Sequence, residues 1–251
     1  RSYADWFGQT NGDVPLRDVV HTASTRRTHL DHRLAIVART QDEFAKLLGE
    51  FALGNMLPGI ARGSKSKDGA LRITYVFSGQ GSQWAEMGKR LLADEPTFRD
   101  AIERMDALLR RHVSWSLKAE LSAQETASRL DQTEIVQPAL FAVQVGLVEL
   151  LQQWGVVPEA VIGHSVGEIA AAHIAGALSL ENALRLDVTR GRIMQKAAGG
   201  GKMAWVALPA EKAQYAIAGL EDKLAVAAIN DPDSCVLSGS THELEIVLAQ
   251  L

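Results

Sequence analysis

The chain has 251 residues, 47% hydrophobic and 22% charged, which suits one large folded domain or two smaller ones. Its formal net charge of −4 offers no basic field for nucleic acid or an anionic membrane. The lone cysteine, Cys235, excludes an internal disulfide framework, and the seven histidines lack any metal-ligand spacing.

The opening RSYADWF has neither an initiator Met nor a signal-peptide layout, and reads as a piece of a longer polypeptide. Residues 1–66 form a first block. A helix is predicted over Val14–Arg27, with Leu16, Val19, Val20 and Ala23 on one face. Arg33–Ala38 is a short apolar strand. Thr40 is an N-cap for a helix reaching Ala52 through Phe44, Leu47, Leu48 and Phe51. Arg26, Arg27, His29, His32 and Arg33 read as a solvated or interdomain surface. The run Ala61–Ala70 is small, charged and glycine-containing, which marks a boundary.

A second block covers residues 71–198. Leu71–Phe77 has strong strand propensity and runs into Ser78-Gly-Gln-Gly-Ser-Gln83. A glycine-rich polar loop at the C-terminal end of a strand is where α/β sites are built. No Lys-Ser/Thr follows, so it is not a P-loop. Helices are predicted over Trp84–Leu92 and Thr97–His112, with Trp115–Ser128 less regular. Pro138 opens a further helix ending near Trp154, apolar on most sides and therefore central. No apolar run is expected to reach membrane-spanning length, because charged residues or histidine interrupt each candidate.

Next comes Ala160–Gly176: a short strand, a turn and a helix of small residues. Gly163-His-Ser-Val-Gly167 fits the nucleophile-elbow pattern G-x-S-x-G. Ser165 would be backbone-strained there, and a Cβ at either flanking glycine would clash with strand or helix. Amides at the helix start can stabilise an oxyanion. Ser179 then caps a helix to about Ala198 that carries Arg185, Arg190, Arg192 and Lys196. Spacing alone singles out none of them, and a solvated face accounts for each.

Gly199-Gly-Gly201 is a second boundary. Residues 202–251 read β-α-β-β-α: strands Lys202–Pro209, Leu224–Asn230 and Ser234–Ser238, with helices Ala210–Leu220 and Thr241–Leu251. That order is a ferredoxin-like unit without its last strand, so a further segment is expected to complete it. A serine on an elbow needs a base. His173 lies two helical turns along, ~12 Å from Ser165. His164 points elsewhere, and His242 reads as a helix cap. The base is therefore expected beyond Leu251, and this chain alone should be weakly active or inactive.

Phe77–Gln83, Val136-Gln-Pro-Ala-Leu140, Gly163–Glu168 and Thr189-Arg-Gly-Arg-Ile-Met-Gln195, in that order, resemble the acyltransferase domain of modular type I polyketide synthases. They are similar also to malonyl-CoA:acyl-carrier-protein transacylases. The resemblance covers residues 71–251, and the first block resembles a ketosynthase–acyltransferase linker. It implies an α/β-hydrolase-like core with a parallel sheet and nucleophile elbow (71–198). Beside the core stand an incomplete ferredoxin-like subdomain (202–251) and an N-terminal α+β linker block (1–66). It also implies transfer of a malonyl-type acyl group from coenzyme A, through an ester on Ser165, to the phosphopantetheine thiol of an acyl carrier protein. Gln80 would shape the oxyanion hole, the Val166 amide would be its second donor, and Arg190 would pair with the acyl group's free carboxylate. A planar guanidinium suits that task. Val166 after the nucleophile goes with malonyl more than methylmalonyl. No bound cofactor is implied, only acyl-coenzyme A as substrate. The implied partners are the carrier protein and a neighbouring ketosynthase, without nucleic acid or membrane, in the cytoplasm. Two alternatives remain open: a serine esterase or thioesterase, and a non-catalytic scaffold within a synthase.

Overall fold

The structure is a computed structural model and describes residues 2–9, 14–65 and 72–251. Its internal contacts divide the chain into Arg1–Leu71 and Arg72–Leu251.

The first unit contains α1 (Ser2–Gln9), α2 (Leu16–Thr25), β1 (His32–Ile36), α3 (Gln41–Ala52) and β2 (Ile60–Ser64). Thr40 caps α3, its side chain accepting from the Glu43 N–H. Helix α1 was not anticipated. It buries Phe7 against Phe44 of α3, with ring centroids 5.3 Å apart. The run Ala61–Ala70, expected to mark a boundary, begins as part of a strand. β2 pairs antiparallel with β1 from Ile36↔Ile60 to His32↔Ser64, because partner strand beats local composition once a ladder is available. Residues 66–70 of that run, and Leu71, lie outside the described residues. The basic cluster Arg26, Arg27, His29, His32 and Arg33 is exposed.

The second unit begins with β3 (Thr74–Phe77) and continues through α4 (Lys89–Asp94), α5 (Pro96–Leu109), α6 (Leu117–Ser122), a 3-10 turn and α7 (Thr133–Gln153). It then returns as β4 (Ala160–Gly163), parallel to β3 with Phe77 opposite Gly163. α8 (Gly167–Ile174) and α9 (Leu180–Ala197) follow. Glu86, at φ 64°, breaks the helix expected over Trp84–Leu92, so α4 starts only at Lys89. The irregular stretch after Trp115 is organised by buried Asp106, whose Oδ1 accepts the Leu117 N–H at 2.6 Å.

Helix α7 is the centre of this unit, burying Ile135, Val136, Leu140, Phe141, Val145 and Val148. Pro138 does not open it but stands one turn inside. As the sixth residue of α7 it lies past the first four donors, which have no intrahelical partner, and its missing N–H leaves the Glu134 carbonyl without its helical bond. One of those donors, the Thr133 N–H, is met by Gln195 Oε1 at 2.6 Å, which lets the helix start earlier. The expectation about apolar runs also needs correction. By length and composition α7 could cross a membrane, but 72% of its apolar window is buried inside the protein, as in a core helix.

The remaining elements are β5 (Lys202–Val206), α10 (Ala210–Ala216), β6 (Leu224–Asp231), β7 (Ser234–Gly239) and α11 (Thr241–Gln250). They form an antiparallel sheet of order β5-β7-β6. Its inner face packs with the two helices around Val206, Ile217, Leu224, Cys235, Leu237 and Leu244. The β-α-β-β-α alternation is the expected one. The mixed α/β architecture is also as expected, a parallel pair bearing the elbow beside a smaller antiparallel sheet.

Candidate active site

Ser165 stands between β4 and α8 at φ 55°. A left-handed serine costs about 1–3 kcal/mol and persists only where its surroundings hold it. The surroundings here are backbone. A Cβ on Gly163 would fall 2.4 Å from Glu168, and one on Gly167 would fall 2.3 Å from the Phe77 carbonyl oxygen. Strand and helix therefore approach as only glycine permits. The His164 N–H donates to the Phe77 carbonyl at 2.9 Å, pinning the turn to the end of β3. The loop after β3 runs beside the serine, since a Cβ on Gly79 would lie 3.3 Å from Ser165 Cβ. The Val166 side chain is buried, while its N–H has no acceptor among the described residues.

The other side of Ser165 is built from side chains. Arg190 Nη2 donates to Ser165 Oγ at 3.1 Å, and Arg190 Nη1 donates to Gln137 Oε1 at 2.7 Å. Gln137 Nε2 donates to Gln80 Oε1 at 3.2 Å, and Gln80 Nε2 reaches Thr133 Oγ1 at 3.5 Å. Gln80, Ser165 and Arg190 are thus joined in one network. Their link, the fully buried Gln137, is a residue for which sequence reasoning assigned no role. Its signal was an amide at a core position of an otherwise apolar helix, where a polar group needs partners.

Arg190 reaches the serine because α9 lies close on α7. A Cβ on Gly191 would be 3.0 Å from Glu134 Cα and from the Thr133 carbonyl oxygen. The structure also sorts the arginines that spacing left equivalent. Arg185 donates to Asn182 Oδ1 at 3.3 Å, and Arg192 donates to the His112 carbonyl. Asp187, one turn before Arg190, is fully buried, and both its carboxylate oxygens lack hydrogen-bond partners among the described residues. Burial pushes its carboxyl up to about 7, against the opposing pull of the Arg190 charge.

No histidine among the described residues is hydrogen-bonded to Ser165. His164 Nε2 meets Asn230 Oδ1 at 3.3 Å, and His173 Nδ1 meets the Leu178 carbonyl at 2.9 Å. His242 is not the cap expected of it, because Ser240 occupies the N-cap position of α11. No group of three or more His, Cys, Asp or Glu is placed to hold a metal among the described residues.

An exposed hydroxyl on a strained elbow, with a guanidinium against it, can carry an acyl ester and hold an anion beside it. Fold and site together define a serine acyl-transfer or acyl-hydrolysis protein. The profile of the acyl transferase domain matches residues 74–251, and a polyketide synthase C-terminal profile of the CurL-like type matches residues 1–48. Polyketide synthase GfsA of Streptomyces halstedii is 42% identical over 234 residues, 93% of this chain and 3% of that protein. Erythronolide synthase EryA2 of Saccharopolyspora erythraea is 44% identical over 233 residues, 92% of this chain and 6% of that protein. The crystal structure of the acyltransferase domain from module 8 of the salinomycin polyketide synthase aligns with a TM-score of 0.86 at 37% identity. That alignment covers 99% of this chain and 58% of the other. The chain therefore spans a small fraction of these synthases and little more than half of the solved domain. It belongs to the acyl transferase domain family.

Proposed function

We propose that this chain is the acyl-loading part of a modular polyketide synthase, moving a malonyl-type group from coenzyme A to a carrier protein. The observation that carries this reading is Arg190, which bridges the Ser165 hydroxyl and buried Gln137. A fixed cation at a nucleophile has little to offer a simple acyl group but pairs with a carboxylate-bearing one. Ser165 Oγ attacks the thioester carbonyl, the C–S bond breaks, and coenzyme A leaves as the thiol with the serine's proton. The phosphopantetheine thiol of the carrier then attacks the ester, and Ser165 Oγ recovers a proton. The Val166 N–H and the loop shaped by Gln80 stabilise the oxyanion of both steps.

The proton needs a carrier, and Arg190 has no acceptor atom. We assign the base to a residue that this chain does not itself supply, so the chain alone should be weakly active or inactive. Val166 favours malonyl over methylmalonyl, and its buried side chain would act through the packing under the elbow. We assign residues 1–66 as a linker to a neighbouring ketosynthase, which the match over residues 1–48 supports. Acyl-coenzyme A is the substrate, no resident cofactor takes part, and the reaction is placed in the cytoplasm.

The test is incubation with malonyl-CoA and a phosphopantetheinylated carrier protein, with mass spectrometry of Ser165 and of the carrier. A malonyl adduct on Ser165 that passes to the carrier is expected once the base is supplied. Release of free malonate without transfer would instead make the chain a thioesterase. No adduct under any condition would make it a scaffold.

A further inference from the structure

Asp187 is the one charged-type side chain of the second unit that is fully buried with neither carboxylate oxygen engaged. Asp106 makes the contrast: it is also buried, but it accepts the Leu117 N–H and pairs with Arg110 at 2.9 Å. Asp187 shares a face of α9 with Ala183 and Gly191, at i−4 and i+4, and all three are buried. Gly191 sets that face on the first turn of α7. Arg190 follows Asp187 by three residues, and it contacts Ser165 and Gln137.

Other charged groups stand on the helices packed against α9. They are Glu134 and Glu149 on α7, Arg99, Asp100, Glu103, Arg104 and Asp106 on α5, and Glu168 and His173 on α8. None makes a hydrogen bond or ion pair with Asp187 among the described residues. Burial raises the Asp187 carboxyl, and the Arg190 charge pulls against it. An ionised Asp187 would place an acceptor-only anion in a site that gives it no donor. It would also spend part of the Arg190 charge that a substrate carboxylate needs. Two anions sharing one half-buried cation is the costly arrangement, and a proton on one of them relieves it.

We propose that Asp187 is a positioning residue for the Arg190 clamp: a buried carboxyl, one turn behind the guanidinium, that takes up a proton from solvent as the substrate's carboxylate docks. Docking and protonation are then linked, and binding of carboxylate-bearing acyl groups weakens as pH rises while binding of plain acyl groups does not. The proposal rests on the reading of Arg190 as the carboxylate clamp. Burial already holds its carboxyl at about 7, so the proton exchanges near neutrality.

The experiment is calorimetric binding of malonyl-CoA and acetyl-CoA to the full polypeptide carrying Ser165→Ala, so that no thioester is consumed. Buffers of different ionisation enthalpy report the protons exchanged. At pH 7, uptake of about half a proton per malonyl-CoA is expected, with none for acetyl-CoA and none for malonyl-CoA after a further Asp187→Asn change. Tighter malonyl-CoA binding without uptake, or with uptake that survives Asp187→Asn, overturns the proposal and leaves the clamp standing. Equal affinity for the two thioesters overturns the clamp and the proposal together. Should Asp187→Asn fail to fold, the Ser165→Ala protein labelled with 13C at the aspartate carboxyls decides. One carboxyl titrating near neutrality and moving upward with malonyl-CoA supports the proposal, and its absence overturns it.

Discussion

The two sides of Ser165 are made differently. On the elbow side the positioning groups are backbone: Gly163 and Gly167 let strand and helix meet at distances no side chain fits. On the α7–α9 side they are side chains, with Arg190, Gln137 and Gln80 passing hydrogen bonds from one to the next. A backbone site fails when a single atom is added, because the ladder and helix around it cannot yield independently. A side-chain site fails by degrees, as each partner lost leaves the others partly satisfied. On the proposed reading, the elbow would fix whether there is a nucleophile at all, and the helix pair would fix which acyl group it is offered.

The largest effect is expected on the backbone side. Gly167→Ala puts a methyl 2.3 Å from the Phe77 carbonyl oxygen, and α8 must move away from β3 to admit it. We expect a loss of about 2–3 kcal/mol in urea unfolding, with acyl-Ser165 formation abolished. A variant with native stability and normal acylation would show that the elbow tolerates slack and would break the comparison. Arg190→Ala is the matching test on the other side. Losing hydrogen bonds from a charged donor costs about 1.5–3 kcal/mol. Malonyl transfer should therefore fall roughly 10- to 100-fold, while stability and acetyl transfer hold. Equal loss for both acyl groups would mean that Arg190 serves the serine rather than the substrate.

The same division explains what could be read from the chain. Backbone sites leave a local pattern, so Gly163, Ser165 and Gly167 were legible together, as was the Gly-Gln-Gly-Ser-Gln loop. The alternation of residues 202–251 was legible because each strand and helix there is short and separated by turn residues. Side-chain sites are assembled from distant segments. Gln137 and Arg190 are brought together only by the α7–α9 approach, which Gly191 permits and no periodicity announces. Asp187 was hidden further, since a carboxylate on a charged helix reads as solvent-facing. Helix α1 and strand β2 were missed because each takes its form from a partner: α1 from the Phe7–Phe44 contact, β2 from its ladder with β1.

Asp187 supplies a test of stability on the side-chain side. Its carboxyl, normally near 3.8, is held at about 7 in the folded chain. The folded state thus binds a proton that the unfolded chain has released across that window, so stability falls as pH rises from about 4 through 7. Asp187→Asn removes this titration. Relative to the parent, the variant should gain on the order of 2 kcal/mol between pH 5 and pH 8. Urea unfolding at the two pH values measures the difference, and parallel shifts in both proteins would place the titration elsewhere.

Gln137→Leu is the mildest change and the sharpest on the comparison. It keeps the volume and apolar fit of a core position in α7, so the helix should stay in place. It removes the acceptor for Arg190 Nη1 and the donor to Gln80 Oε1, uncoupling Arg190 from the loop after β3. The Nη2 contact to Ser165 Oγ remains available, but Arg190 then has one fixed partner instead of two. A lost neutral hydrogen bond is worth about 1 kcal/mol, so malonyl transfer should drop roughly fivefold. The drop should lie in KM if Gln137 only aims Arg190, and in kcat as well if it also sets the Gln80 loop. An effect as large as that of Arg190→Ala would mean that the clamp does not form without its bridge. The side-chain half of the site would then be as unforgiving as the elbow.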